Sequence, residues 1–223
     1  MRKMSYCWRF PRRLVFMLLL LAVSSGLAAD VVISETEYEG RPQFKIVTPS
    51  ATWFLDRAAG GFSRLIDADG KDWICFRKDP LSRYPDSAAA GYRGIPNLVY
   101  GRDDPDAGAG HPGFDLCESE VVAPDTIRVR SKSGRWAWTW TFEESVVRMR
   151  MVRAPSDSPW WFLYEGTVGG RWSPETHYWG TDRGGPRHER PDSRHKLFDR
   201  WRWAYFGDKA SRRLLFIGQK QPD

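Results

Sequence analysis

The sequence predicts an all-β protein with the architecture of an antiparallel β-sandwich. No segment of the 223 residues repeats its apolar side chains at the spacing of a sustained helix. Short runs alternate apolar and polar residues instead, and turn-forming residues separate them, which is typical of antiparallel sheets. The 20 glycines and 15 prolines supply those turns along the whole chain.

The first 29 residues have the three parts of a secretory signal peptide. Basic residues come first, residues 14–23 are an unbroken apolar run, and small residues occupy 24–29. A membrane-spanning helix needs about 18 to 20 apolar residues, so this run is too short for an anchor. We therefore expect an exported protein, periplasmic or extracellular, with a single domain over residues 30–223 and no membrane attachment after cleavage.

The charge of the predicted mature chain is close to zero. The whole sequence has 34 basic and 28 acidic residues, and removal of the five basic residues in the leader leaves 29 against 28, a net charge of +1. A strongly basic surface is the usual signature of nucleic-acid binding. The sequence therefore predicts no nucleic-acid partner, and it does not indicate an oligomeric state.

The sequence predicts neither a cofactor nor a metal. The candidate ligands near the C-terminus have no standard zinc spacing, and arginines crowd the same segment. They are His188, Glu189, Asp192 and His195. Two cysteines remain after cleavage, Cys75 and Cys117, and either one disulfide or two buried thiols is compatible with export.

Three strands are predicted in the N-terminal half of the domain, over residues 52–56, 61–66 and 72–76. Residues 67–70, Asp-Ala-Asp-Gly, predict the turn before the third strand. A calcium loop is the alternative for this turn, but the further acidic ligands that such a loop needs are missing.

Residues 126–153 predict a three-stranded meander. Two-residue turns at 133–134 and 143–144 set its register. The resulting apolar pairs include Trp138 with Val129 and Trp140 with Val147. These partners all fall on one face, which we predict to be core, whereas a slip by one residue would scatter them over both faces.

The opposite face of this meander carries four arginines, which are candidate substrate-binding residues: Arg128, Arg130, Arg148 and Arg150. The predicted register aligns Arg130 with Arg150 and Arg128 with Arg148. One interpretation is a shallow basic trough for an anionic glycan. The alternative, which we favour, is a solvated outer face whose arginines pair with carboxylates from elsewhere, since charged outer faces are common in antiparallel sheets.

Three tryptophans outside the meander are candidates for sugar binding. Trp160 and Trp161 are adjacent, and neighbouring residues of a strand point to opposite faces, so one should be buried and the other could stack on a sugar ring. Trp179 lies in a region that is predicted to be irregular.

Residues 60–73, GGFSRLIDADGKDW, resemble the opening of galactose-mutarotase-like supersandwich domains. The resemblance implies a carbohydrate partner, because that superfold occurs in sugar epimerases, in polysaccharide lyases and as a domain of glycosidases. The chain has no evident match to the epimerase motif with the catalytic histidine. The stretches RGIPN, at 93–97, and YEG, at 164–166, resemble parts of uncharacterised exported bacterial proteins.

Two regions predicted to be rich in loops, residues 79–116 and 169–199, carry most of the candidate chemistry. Cleavage of an acidic polysaccharide by elimination needs a base and a group that neutralises the carboxylate. The candidate catalytic residues are therefore His177 and Tyr178 for the proton, and Arg93 and Asn97 for the carboxylate.

Two further functions remain open at this stage. A hydrolase would need a pair of carboxylates, for which Glu165, Glu175 and Glu189 are candidates. The other is a non-catalytic carbohydrate-binding or structural envelope module. The chain ends just after a strand predicted at 214–217, which suggests a domain that is truncated at its C-terminus.

Overall fold

The computed structural model describes residues 31–78, 94–99, 104–164, 168–170, 172–191 and 201–220. These residues form three antiparallel four-stranded sheets, so the predicted all-β class is confirmed. The predicted signal peptide lies outside the described residues. No helix in the described part of the chain is long and apolar enough to cross a membrane.

Twelve strands and one short 3₁₀ turn, Val168–Gly170, make up the regular structure of the described residues. The strands are β1 Val32–Tyr38, β2 Arg41–Val47, β3 Ala51–Asp56, β4 Phe62–Asp67, β5 Cys117–Ala123, β6 Thr126–Ser131, β7 Ala137–Phe142, β8 Val147–Arg153, β9 His177–Thr181, β10 Gly184–Arg187, β11 Trp203–Asp208 and β12 Leu214–Gly218. Sheet A has the order β1-β2-β3-β4, sheet B the order β5-β6-β7-β8, and sheet C the order β10-β9-β11-β12.

Sheets A and B share one core. The ring of Phe62 in β4 lies 4.5 Å from that of Trp140 and 6.0 Å from that of Phe142, both in β7, and all three side chains are buried. Gly60 approaches sheet B so closely that an added Cβ would lie 2.8 Å from the Trp138 ring. Its φ of +77° also favours glycine, so backbone conformation and packing select the same residue.

The first turn of the meander forms as predicted. Trp138 pairs with Val129, and Gly134 takes a positive φ of 75° in the turn. The tryptophans of this segment, Trp136, Trp138 and Trp140, are all buried. Alternation within one strand was therefore sufficient to identify the core face of sheet B.

The predicted register between β7 and β8 is wrong by two residues. Trp140 pairs with Met149 rather than Val147, and Trp138 pairs with Met151. The connection has four residues, 143–146, and its first N–H donates to its last carbonyl at 2.8 Å. Two consecutive glutamates are poor residues for a tight two-residue turn. A shift by two leaves every side chain on its predicted face.

Residues 72–76 do not form the predicted strand, since Asp72 makes only an isolated bridge to Ile66. The Asp72 side chain accepts backbone hydrogen bonds from Ile74 and Cys75, both at 3.0 Å. Cys75 has a φ of 56°, which is incompatible with an extended chain. Local bonding by an aspartate side chain therefore replaces the strand with a turn.

The turn at 67–70 is confirmed, and its first carboxylate is used inside the protein. The Asp67 carboxylate accepts hydrogen bonds from the backbone amides of Asp69 and Lys71, both at 2.9 Å. It also accepts one from the indole N–H of Trp73. Gly70 takes a φ of 84°. These are the bonds of an Asx turn, and they account for the sequence without a calcium ion.

The region 169–199 is more regular than predicted, because it contains β9 and β10 of sheet C. The core face of this sheet presents Trp179, Ala204 and Phe206, which are all buried. Tyr164 packs on Phe206 with ring centroids 4.8 Å apart and donates a hydrogen bond to the carbonyl of Trp73. Sheet C is thereby attached to the common core.

Candidate functional site

The arginine face of sheet B is a surface of mixed charge. β5 lies beside β6 and places Glu120 opposite Arg128 and Glu118 opposite Arg130. Arg128 donates to Glu120 at 2.8 Å, and Arg130 lies 3.9 Å from Glu118. The sequence favoured this arrangement, in which arginines pair with carboxylates from elsewhere, over a basic trough for an anionic glycan.

The other two arginines complete this face in rows that differ from the predicted ones. Arg148 forms an exposed ion pair with Glu143 at 2.6 Å, and its cross-strand partner is Thr141. Arg150 stands opposite Thr139, hence in one row with Arg128 rather than Arg130. The two-residue change of register is the cause.

His177 is held by contacts inside the fold. The Ser173 amide donates to Nδ1 at 3.0 Å, so Nδ1 is an acceptor and the ring proton lies on Nε2. Nε2 faces Asp208 at 3.6 Å, and Lys71 forms an ion pair with the same carboxylate. Burial lowers the pKa of His177 and outweighs the opposing effect of Asp208. Nδ1 therefore accepts from the fold itself and Nε2 faces a carboxylate, which gives His177 a structural role between sheet C and the turn after β4.

Tyr178 lies on the opposite, outer face of β9. Its ring covers Gly207 of β11, where an added Cβ would lie 2.5 Å from the ring edge. The side chain is only partly buried. Tyr178 is therefore the one predicted catalytic residue, among those that the structure describes, whose side chain reaches solvent.

Asn97 is buried and bonded within the fold. The Asn97 amide donates to the carbonyl of Gly110 at 3.1 Å, and the residue is buried with a φ of 50°. The cis peptide bond between Ile95 and Pro96 precedes it. A buried amide is not placed to hold a carboxylate that arrives from solvent, and Arg93 lies outside the described residues.

Trp179 does not offer a surface to a sugar. It is 1% exposed, its indole donates to the carbonyl of Glu189 at 2.8 Å, and the guanidinium of Arg187 lies 5.1 Å from its ring. The prediction of a sugar-binding role is therefore corrected. The sequence placed Trp179 in a loop, whereas β9 directs it into the core.

Trp160 and Trp161 are exposed, at 45% and 42%. The expectation that one of them is buried was wrong, because they precede the core-packing residues of an irregular segment and do not lie in a regular strand. The amide of Trp161 donates to the carbonyl of Leu98 at 2.8 Å. Both indoles thus lie at the surface on a backbone that is fixed to the segment 96–98.

Glu175 lacks the pKa shift expected of the general acid in glycoside hydrolysis. A hydrogen bond from Ser173 lowers the pKa of Glu175, which is the opposite of the shift that a general acid requires. Glu189 is exposed, and Glu165 lies outside the described residues. Glu175 therefore does not support the hydrolase alternative.

No cluster of three or more metal-ligating side chains occurs within the described residues. Among the four residues considered for a metal, His188 donates from Nδ1 to the carbonyl of His177 at 2.9 Å. Asp192 and His195 lie outside the described residues. Cys75 and Cys117 do not form a disulfide with each other, and burial raises the pKa of the Cys117 thiol to about 12.

Sequence reasoning missed an aromatic surface on the outer face of sheet C. Trp203, Tyr205 and Phe216 share this face with Tyr178, and their rings form a chain of contacts with centroids 5.8 to 6.3 Å apart. The signal was present in residues 203–207, where Trp203 and Tyr205 share one face of the strand and Phe206 lies on the other. The sequence alone gave no reason to choose which face was outside.

Comparison with protein-family models, with curated proteins and with solved structures finds no match to this chain.

Proposed function

We propose that this chain is an exported domain that binds polysaccharide, and that Trp160 and Trp161 contact the sugar rings. The observation that carries the proposal is the simultaneous exposure of two adjacent indoles. An exposed indole loses the free energy that its burial would provide, and exposed aromatic clusters are a feature of binding sites. Indoles also stack on the apolar faces of sugar rings.

The backbone below these indoles is held in place from two sides. The amides of Trp161 and Leu163 donate to segment 96–98 at 2.8 and 2.7 Å. The next aromatic side chains point inward, with Phe162 against Trp140 at 6.5 Å. A surface that is ordered before it binds loses less conformational entropy on association, which supports a role in binding.

Binding is favoured over polysaccharide elimination, which the sequence had suggested first. Elimination needs an accessible base and a group that neutralises the carboxylate. Among the candidates that the structure describes, Tyr178 reaches solvent, whereas His177 and Asn97, the candidate group for the carboxylate, are buried. A binding function requires neither group. The leader predicted at residues 1–29 and the resemblance of residues 60–73 to carbohydrate-active domains agree with an exported glycan-binding role.

Titration calorimetry of the mature protein against neutral and acidic polysaccharides tests the proposal. We expect binding to at least one of them and a loss of about tenfold or more in affinity for the double variant Trp160→Ala/Trp161→Ala. Val152→Ala is the matched control, since Val152 is also an exposed apolar residue. Absence of binding to every glycan would refute the proposal, and release of unsaturated products would show an elimination reaction instead.

A further inference from the structure

We propose a second glycan site on the outer face of sheet C, where four aromatic side chains form a platform for an anionic polysaccharide. The platform is defined as Tyr178, Trp203, Tyr205 and Phe216. This inference rests on the proposed function, which it extends to another face of the molecule and to a charged class of glycan. None of these residues belongs to the segment that carries Trp160 and Trp161.

Strand register places the four rings together. Tyr205 of β11 pairs with Phe216 of β12, and Trp203 stacks on Phe216 with centroids 5.8 Å apart and an interplanar angle of 29°. Trp203 also lies 6.2 Å from Tyr205, and Tyr205 lies 6.3 Å from Tyr178. The platform therefore extends across β9, β11 and β12 without a break.

Glycines determine how the tyrosine rings lie. Tyr205 covers Gly180 on β9, and Tyr178 covers Gly207 on β11. Each tyrosine ring thus covers a glycine, and both tyrosines remain partly exposed. Phe216 is 56% exposed, so the surface is open at the β12 end as well. The Trp203 ring is tilted by 32° from Tyr205 and by 29° from Phe216, so these three rings share a similar orientation. The Tyr178 ring lies at 64° to Tyr205 and therefore borders the platform with a different orientation. Stacking on sugars uses the ring faces that Trp203, Tyr205 and Phe216 share.

The cations of the β11–β12 segment outnumber its acids and favour an anionic glycan, although Asp182 lies beside Arg202 and Asp69 beside Arg213. Segment 201–220, which carries Trp203, Tyr205 and Phe216, has five basic residues and one acidic residue. The acidic residue, Asp208, is buried and pairs with Lys71, so it does not offset the surface charge. The basic residues stand at both ends of the β11–β12 hairpin: Arg202 and Lys220 at one end, and Lys209, Arg212 and Arg213 at the other.

Two of these cations already have partners, and the others are exposed. Arg213 pairs with Asp69 at 2.9 Å, and Lys209 donates to a backbone carbonyl. The strands between the two ends span roughly 17 Å, the length of a short oligosaccharide. Sugar rings would stack on the platform while carboxylate or sulfate groups pair with the cations at its ends.

The experiment compares each anionic glycan with its neutral counterpart, namely polygalacturonate with its methyl ester and dextran sulfate with dextran. We expect the intact protein to prefer an anionic form, with an affinity that falls as salt is added. Phe216→Ser and Trp203→Ala should each lower this affinity about tenfold. The first pair of polymers tests carboxylate recognition, and the second tests sulfate recognition.

Charge variants test the selectivity separately. Arg212→Gln/Lys220→Gln should reduce the preference for the anionic polymer while binding to the neutral one persists. Arg128→Gln is the matched control, because it removes a cation from sheet B that already pairs with Glu120. Circular dichroism and thermal unfolding of every variant verify that the fold is retained.

Three outcomes would overturn the inference. Glycan affinity that is lost with Trp160→Ala/Trp161→Ala but unchanged with Phe216→Ser would leave the proposed function intact and refute the platform. A protein that self-associates, and becomes monomeric with Phe216→Ser, would show that a second copy occupies this face. If the protein binds none of the glycans, both proposals are refuted together.

Discussion

The ring of Tyr205 occupies the space above its cross-strand partner Gly180. A Cβ added at Gly180 would lie 2.5 Å from the Tyr205 hydroxyl and 2.6 Å from Cζ. Tyr178 has the same relationship to its partner Gly207, but in the reverse direction across β9 and β11. The outer surface of sheet C therefore depends on two positions that have no side chain, a known way in which aromatic residues compensate for glycine in a sheet.

Gly207→Ala should destabilise the protein by about 1 to 3 kcal/mol, because the new methyl group displaces the Tyr178 ring. The φ of Gly207 is not in the left-handed region, so backbone strain does not contribute to this cost. Urea unfolding measures the change. The double variant Gly207→Ala/Tyr178→Ala should lose less folding free energy than the sum of the losses in the two single variants, because the Tyr178 ring that the new methyl group would overlap is absent. Strict additivity would contradict this account of the packing.

Asp56→Asn should cost about 3 to 5 kcal/mol of folding free energy. Asp56 is 0% exposed and accepts from Arg41 at 2.6 Å and from the amides of Ala58 and Gly113. Loss of its charge leaves the largely buried guanidinium of Arg41 without full compensation.

The exposed pair between Glu120 and Arg128 is the control for this measurement. Glu120→Gln should cost no more than about 1 kcal/mol, because solvent already screens the interaction. Equal losses of folding free energy for Asp56→Asn and Glu120→Gln would show that burial does not determine the strength of the Arg41 pair.

Arg128→Ala should leave the affinity for acidic glycans within about twofold of the original, since an exposed, already paired guanidinium contributes little. Glu120 neutralises this side chain across the β5–β6 pair. Calorimetric titration with polygalacturonate is the measurement. A tenfold loss would restore the basic trough on sheet B as a binding site.

The stability of the protein should decrease with acidity between about pH 6.5 and pH 4 through His111. Burial lowers the pKa of His111 to about 4. The unfolded chain, with an ordinary histidine pKa of about 6.5, therefore takes up a proton at a higher pH than the folded protein does. Each pH unit in this window should remove about 1.4 kcal/mol of folding free energy.

His111→Gln tests the source of this pH dependence. Urea unfolding across the window should give a shallower decline for His111→Gln than for the original protein, because glutamine does not titrate. Parallel declines for the two proteins would assign the effect to other groups, such as His177, whose pKa burial also lowers.

Alternation within single strands predicted much of this fold. It identified the all-β class, the strands on either side of the Gly60 turn, and the inward face of β7 with Trp138 and Trp140. It failed at residues 72–76, where the Asp72 side chain bonds to the following amides. Apolar content predicted a strand there, but local hydrogen bonding determined the backbone conformation.

The candidate sites were less predictable, since their character depends on neighbours from other strands. The sequence predicted an exposed indole at Trp160 or Trp161, and both are exposed. It also favoured paired arginines on sheet B, but it did not identify Glu118 and Glu120 as their partners.

The sequence by itself determined the β architecture and which side chains alternate together, because period-two geometry acts within each strand. Only the tertiary structure decided which strands are neighbours, which face of sheet C is exposed, and which charges meet. Tertiary contacts join residues far apart in the chain, such as Tyr205 with its cross-strand partner Gly180 and Lys71 with Asp208. Those pairings follow from the packing of all three sheets on one core, which no single segment encodes.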